Sequence, residues 1–187
     1  MRNFAPKPWL LPQPVIVIGT YNREGVPNAM NAAWAGTWDM KEVMISLGNH
    51  ATTQNLNENG DFTIAFATVE TMAAADFVGI ASAKTTPRKI ERTGWTAQRG
   101  EHVNAPVFID FPMTFECRVK SKIDESATGC FVIAEIVNIV VDEQYLAEDG
   151  LPDVTKMNLI TLDPVHHCYV RLGETVGEAY SIGKSLK

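Results

Sequence analysis

Residues 14–47 read PVIVIGTYNREGVPNAMNAAWAGTWDMKEVMISL, and this stretch decides the fold. Its first eight residues are rich in β-branched side chains, which favour a strand. The sequence NREG at residues 22–25 predicts a tight turn, with Gly25 suited to a positive φ. Residues 28–38 and 42–47 predict a second and a third strand, and the second is rich in small side chains. The three strands together predict a β-meander.

The rest of the chain adds short helices and further strands. The predicted elements are helices at residues 52–60 and 70–81, and strands at residues 61–67, 111–123, 129–141 and 165–173. The connections are a basic loop at residues 84–94 that leads into a helical turn, a hairpin turn at residues 124–128 and an irregular polar segment at residues 142–158. Helices and strands do not alternate regularly, so we predict a mainly β fold, a β-barrel with short helices inserted.

A single domain accounts for residues 1–187, a length that can bury a sizeable core without disulfides or a structural metal. Residues 1–13 form an extended N-terminal arm in this prediction, because closely spaced prolines oppose a helix. The tail at residues 174–187 is predicted to be helical or irregular.

The composition limits the partners and the compartment. The 16 Lys and Arg residues against 22 Asp and Glu residues give a net charge of −6, which argues against a nucleic acid or an anionic membrane as partner. The three cysteines show no short pairing motif, and no signal peptide or membrane-spanning stretch is evident. We therefore predict a cytoplasmic protein.

Three segments are candidates for binding a flat ligand that carries a phosphate. The small side chains of residues 32–36 leave a strand backbone open to a ring, or allow another strand or subunit to pack closely. The helix predicted to begin at Thr52 or Thr53 offers free N–H groups to a phosphate, or is an ordinary threonine-capped helix. The basic loop, with Lys84, Arg88 and Lys89, closes over an anion or is simply solvated.

Metal and nucleophile chemistry are not predicted. On a strand, His166 and Cys168 would share one face, but two ligands without a CxxC or HExxH motif do not make a metal site. Cys117 and Cys130 lie within apolar strand patterns, so we expect them in the core. No GxSxG motif is present, and no residue is assigned a catalytic role.

From about residue 14 to the C-terminus the chain resembles the flavoredoxin and flavin reductase family, whose domain is an FMN-binding split β-barrel. The resemblance is carried by NAMNAAWAG, by LNENGDF after a loop with threonine, and by a Val-Gly-Ile-x-Ser segment followed by a lysine. The segment DPVHHCYVRLGETVG at residues 163–177 also resembles this family. The site residues that the resemblance implies are Met30, Asn31, Ala32, Ala33, Trp34, Asn49, His50, Thr52, Thr53, Val78, Gly79, Ser82, Lys89 and His166.

The resemblance implies that the flavin ring lies against residues 31–34 and that its phosphate meets residues 49–53. It also implies FMN as the cofactor, with FAD less expected. Many relatives carry an arginine in the latter loop, whereas this chain has Asn49, His50 and Ala51, so the phosphate would depend on His50, Thr52 and the helix end, and the preference between FMN and FAD stays open. The resemblance also implies a homodimer with the flavin near the interface.

The implied activity is an oxidoreductase that passes electrons through bound FMN, with NAD(P)H as donor. The flavin carries the redox chemistry, so no protein nucleophile is required. The alternatives are a flavodoxin-like carrier reduced by a partner protein, an oxidase of the pyridoxamine-phosphate type, and a module that binds flavin without turnover.

Overall fold

The computed structural model describes residues 1–126 and 129–186, and most of its regular structure is β. The first six strands are β1 (Gln13–Pro14), β2 (Ile16–Tyr21), β3 (Pro27–Ala32), β4 (Ala35–Asp39), β5 (Glu42–Gly48) and β6 (Asp61–Phe66). The other six are β7 (Ala97–Arg99), β8 (Pro106–Phe108), β9 (Met113–Ser126), β10 (Gly129–Val141), β11 (Ile160–Asp163) and β12 (Cys168–Arg171). The helices are α1 (Ala51–Asn59) and α2 (Met72–Ile80), with 3-10 turns at Lys89–Arg92, Glu143–Tyr145 and Ile182–Leu186.

Seven strands form one antiparallel sheet in the order β3-β2-β6-β9-β10-β5-β4. The two edge strands, β3 and β4, are consecutive in sequence and joined only by Ala33 and Trp34. Three residue steps cover at most about 11 Å, whereas the edges of a flat seven-stranded sheet would lie roughly 29 Å apart. The sheet must therefore curl until its edges approach each other, which is the split β-barrel predicted from the sequence.

The predicted meander is wrong at this point. Residues 28–38 are two strands rather than one, because the chain bends at Ala33 and Trp34, and β3 pairs with β2 while β4 pairs with β5. Trp34 uses its carbonyl to accept the N–H of Ser46, and Ala33 accepts the N–H of Ala35. The alanine-rich pattern gives no sign of this bend, since small residues suit both a straight strand and a sharp turn.

Hydrophobic residues fill both sides of the curled sheet. Strand β2 shows this most clearly, because Ile16 and Ile18 face one cluster of buried residues and Val17 faces another. The first cluster, inside the barrel, includes Phe62 and the predicted core residues Cys117 and Cys130. The prediction that these two cysteines belong to the core is confirmed. The second cluster lies on the opposite face of β2, where α2 and β11 contribute buried side chains.

The helices lie close to where the sequence predicts them. Helix α1 ends at Gly60, whose φ of 74° and N–H bond to the Leu56 carbonyl confirm the predicted glycine stop. The turn at residues 22–25 is confirmed as well, with Gly25 at φ 75°. Helix α1 begins at Ala51, so Thr52 and Thr53 are in its first turn and neither is the N-cap.

The C-terminal half differs more from the prediction. The strand predicted at residues 165–173 is only Cys168–Arg171, and it forms a small sheet with β11 and β1. Strands β7, β8 and β11 were not predicted, because each has only three or four residues. The long hairpin of β9 and β10 is confirmed, while its predicted turn at residues 124–128 falls partly outside the described residues.

The N-terminal segment has no regular structure before Gln13, where β1 begins, and most of its side chains are exposed. Neither α1 nor α2 is long and apolar enough to cross a membrane, and the same holds for every helix in the described part of the chain.

Candidate functional site

A groove runs along strand β3, between the start of α1 on one side and the end of α2 with its following loop on the other. Its central cavity has a volume of about 320 Å³ and includes Asn28, Met30 and Lys89 in its lining. A second cavity of about 320 Å³ shares Asn28 and Lys89 with the first and extends towards Lys84 and Arg88. On the other side, a depression of about 240 Å³ shares Asn31 and Gly79 with the central cavity. These three spaces together make up the groove.

The structure brings most of the predicted site residues into this groove. Those lining the central cavity are Met30, Asn31, His50, Thr52, Val78, Gly79, Ser82 and Lys89. Ala32 and Ala33 line the adjoining depression. Trp34, Asn49, Thr53 and His166 do not line any of the three spaces. Predicted residues from β3, α1, α2 and the loop to Lys89 thus meet in one place.

The first turn of α1 faces the central cavity through His50, Ala51 and Thr52. The N–H groups at the start of a helix have no acceptor within the helix and carry a partial positive charge, so they attract anions. His50 is the N-cap but makes no capping hydrogen bond, and its ring lies where a side chain on Gly48 would be. A Cβ at residue 48 would come within 2.8 Å of His50 Nε2, so the glycine makes room for the imidazole.

The two threonines of this turn use their hydroxyl groups differently. Thr53 Oγ1 donates to the carbonyl of Gly48 at 2.6 Å, so its only proton is already engaged. Thr52 Oγ1 instead accepts from Asn28 Nδ2 at 2.9 Å, which leaves its proton available to a ligand. We therefore expect Thr52, rather than Thr53, to supply the hydroxyl donor of this site.

Asn28 is a site residue that the sequence analysis did not identify. Its side chain is 6% exposed, and Oδ1 has no hydrogen-bond partner among the described residues, although Nδ2 is bonded to Thr52. A buried polar atom without a partner costs about 1–3 kcal/mol, so such atoms are usually satisfied by something. Asn28 lines both the central and the second cavity of the groove, so a ligand there would reach it.

Lys89 holds the loop that closes the groove. Its ammonium group donates to the carbonyl of Val78 at 2.7 Å and to that of Ala81 at 2.5 Å, both at the C-terminal end of α2. The side chain is 3% exposed, and burial lowers its pKa to about 8. An ammonium group has three donors, so one remains for an anion in the cavity that Lys89 lines.

The prediction that His166 and Cys168 lie on the same face of a strand is wrong. His166 lies in the turn that joins β11 to β12, not on a strand, and His167 has a φ of 54°. His166 Nδ1 is 2.7 Å from Asp163 Oδ2, and this contact lowers the pKa of Asp163. The His166 side chain is largely exposed and that of Asp163 is half-buried, and neither residue lines the groove.

Asp76 and Tyr169 are two further site residues that were not predicted from the sequence, and both line the depression beside Asn31. Tyr169 Oη donates to Asp76 Oδ1 at 2.7 Å across 93 residues of sequence. No local pattern could have revealed this pair, because its partners lie on α2 and β12. The signal available was the tyrosine within the family-like segment at residues 163–177.

The comparisons with known proteins agree with this geometry. A family model for the flavin reductase-like domain matches residues 10–156. The flavoredoxin of Desulfovibrio vulgaris (Miyazaki F) superposes with a TM-score of 0.92 at 34% identity, covering 98% of this chain and 99% of that one. The flavoredoxin of Methanosarcina acetivorans gives a TM-score of 0.88 at 26% identity, with 100% of each chain covered.

A third solved structure shares the fold alone. The 2-nitrobenzoate 2-nitroreductase of Pseudomonas fluorescens gives a TM-score of 0.82 at 20% identity, covering 92% of this chain and 87% of that one. No curated protein sequence matches the chain.

Proposed function

Since the chain belongs to the family of flavin reductase-like domains, we propose that it is an oxidoreductase that binds FMN in the groove and passes electrons through it. The observation that carries the proposal is the convergence on one groove of a free helix start, a threonine hydroxyl, a buried lysine and a strand of small residues. The first three features suit a phosphate, and the fourth suits a flat ring.

The residues present fit FMN. At the phosphate end, the first turn of α1, the Thr52 hydroxyl and the Lys89 ammonium group would donate hydrogen bonds to the phosphate oxygens. The buried, unpartnered Oδ1 of Asn28 lies at the junction of two cavities and would accept from a hydroxyl group of the ribityl chain. The ribityl hydroxyl group would give Asn28 Oδ1 the hydrogen-bond partner that the described residues do not provide.

At the ring end, the groove is lined by the small residues Ala32, Ala33 and Gly79, which leave room for a flat ring. The flavin, when bound, supplies the redox chemistry, so these residues need only hold its ring and limit access of water. A side chain at position 79 would crowd β3, because an added Cβ would lie 3.0 Å from the Cβ of Asn31, so one of the two would have to shift. The close approach of α2 to β3 therefore depends on this glycine.

We propose NAD(P)H as the electron donor, with reduction by a partner protein as the alternative. Mixing the FMN-loaded protein anaerobically with NADH or NADPH and following the loss of flavin absorbance separates the two. Rapid bleaching supports a reductase, whereas a flavin that bleaches with dithionite but with neither nucleotide supports a carrier.

We also propose that the protein is a cytoplasmic homodimer. Trp34, Trp38 and Met40, on or beside the edge strand β4, are 55–95% exposed, which is unusual for large apolar side chains on a free surface. A second copy of the chain would cover them. No disulfide joins Cys117, Cys130 or Cys168 in the described part of the chain, which suits a reducing compartment.

The affinity for FMN is expected to depend on pH through Lys89. Below pH 8 the lysine is charged before and after FMN binds, so the ionisation of Lys89 does not change the affinity there. Above pH 8 the free protein has lost this proton, and binding a phosphate beside Lys89 raises its pKa and takes the proton up again. The dissociation constant for FMN should therefore rise between pH 8 and 9, by at most about tenfold.

Riboflavin is the control for this dependence, because it lacks the phosphate. Calorimetric titrations at pH 7, 8 and 9 should show a dissociation constant for riboflavin that hardly changes. Parallel changes for the two flavins would place the phosphate away from Lys89.

A further inference from the structure

Three polar side chains from separate elements meet in the depression beside the groove. Tyr169 of β12 donates its phenol proton to Asp76 Oδ1 of α2 at 2.7 Å. Asn31 Nδ2 of β3 lies 3.5 Å from Tyr169 Oη, a long hydrogen bond in which the amide donates and the phenol oxygen accepts. All three residues line the depression, and Asn31 also lines the central cavity.

The Asp76 carboxylate determines which atom donates in each of the two hydrogen bonds of Tyr169. A carboxylate can only accept, so the phenol proton belongs to the bond with Asp76. Burial raises the pKa of Tyr169 to about 12, with the hydrogen bond to Asp76 adding to the effect, so the phenol keeps its proton at neutral pH. The Tyr169 oxygen can then only accept from Asn31, which must present Nδ2.

This arrangement also fixes the other half of the Asn31 amide. Because the amide is planar, turning Nδ2 towards Tyr169 turns Oδ1 away from it. Oδ1 has no hydrogen-bond partner within residues 1–126 and 129–186. Gly79 leaves the space that this rotamer occupies, since a Cβ there would lie 3.0 Å from the Cβ and 3.9 Å from Nδ2 of Asn31.

We propose that Asp76 and Tyr169 are positioning residues that hold Asn31 Oδ1 as a hydrogen-bond acceptor, so that the groove selects a ligand edge carrying an N–H donor. The inference rests on the proposed function for the identity of that ligand. The oxidised flavin ring carries a single N–H group, at N3. The pair therefore sets a preference for flavins with a free N3–H over those in which N3 is blocked.

The test compares the binding of FMN and 3-methyl-FMN, both oxidised, to the flavin-free protein by fluorescence quenching. The wild type should prefer FMN, and Tyr169→Phe should reduce this preference by roughly threefold to tenfold, the value of one neutral hydrogen bond. Asp76→Asn should act in the same direction with a smaller effect, because a neutral amide still accepts the phenol proton. Adding Asn31→Ala to Tyr169→Phe should cause no further loss of preference, because both changes remove the same interaction.

Tyr145→Phe is the matched control, since Tyr145 lies in the 3-10 turn Glu143–Tyr145 and does not line the groove. Its preference should equal that of the wild type, and circular dichroism should show that every variant is folded. Equal weakening of both flavins by Tyr169→Phe would overturn the inference and leave flavin binding intact. A folded wild type that binds neither flavin would overturn the proposed function and this inference together.

Discussion

Replacing Lys89 by methionine is expected to weaken FMN binding by about a hundredfold or more, the largest effect of any single change in the groove. The substitution keeps the length and apolar character of the side chain but removes the ammonium group that bonds the carbonyls of Val78 and Ala81. A charge-assisted hydrogen bond to the phosphate is worth about 1.5–3 kcal/mol, and the loop at residues 81–88 loses its anchor as well. The loss of the hydrogen bond and the loss of the loop anchor would both weaken the binding of FMN.

The protein should also lose about 1–3 kcal/mol of unfolding free energy, because two carbonyl groups near a buried side chain lose their donor. Lys84→Met is the matched control. Lys84 lines the second cavity but not the central one, and among the described residues its side chain donates no hydrogen bond to α2. Isothermal titration with FMN should show a small change for Lys84→Met, and a similar loss in both variants would contradict the role assigned to Lys89.

Replacing Thr52 by valine is expected to weaken FMN binding by roughly tenfold to a hundredfold and riboflavin binding far less. Valine has the shape of threonine without the hydroxyl, so the change removes the donor to the phosphate and the acceptor that holds Asn28 Nδ2. The lost acceptor lowers stability and weakens both flavins through Asn28. The ratio of the two affinities isolates the phosphate contact.

Thr53→Val is the matched control, one residue along the same helix turn. Its hydroxyl donates to the Gly48 carbonyl, so its loss should cost about 1 kcal/mol of stability without changing the FMN to riboflavin ratio. If Thr53→Val changed that ratio and Thr52→Val did not, Thr53 rather than Thr52 would be the hydroxyl donor to the phosphate. Thermal unfolding of both variants confirms that the comparison is made on folded protein.

The sequence predicted those parts of the fold that local patterns determine. Strand β5 alternates strictly, with Val43, Ile45 and Leu47 buried, and this period of two is visible in EVMISL. Helix α1 ends at a glycine that adopts a positive φ, and the sequence LNENG predicts this end. In both cases the deciding interactions are made within a few residues of each other.

The parts that were missed depend on pairing between distant residues. The bend at Ala33 and Trp34 separates β3 from β4, but which strand each one joins is decided by β2 and β5. The hydrogen bond of Thr52 to Asn28 and that of Tyr169 to Asp76 join elements that only the folded sheet brings together. The predicted segments therefore located the groove, whereas the roles of individual side chains within it required the three-dimensional contacts.

The central claim is that the groove binds FMN through its phosphate, and the most direct test is titration of the flavin-free protein with FMN and with riboflavin in a calorimeter. We expect one FMN per chain, bound at least tenfold more tightly than riboflavin, since the phosphate adds charge-assisted hydrogen bonds worth about 1.5–3 kcal/mol each. A protein that takes up neither flavin, or that binds both with equal affinity, would contradict the account.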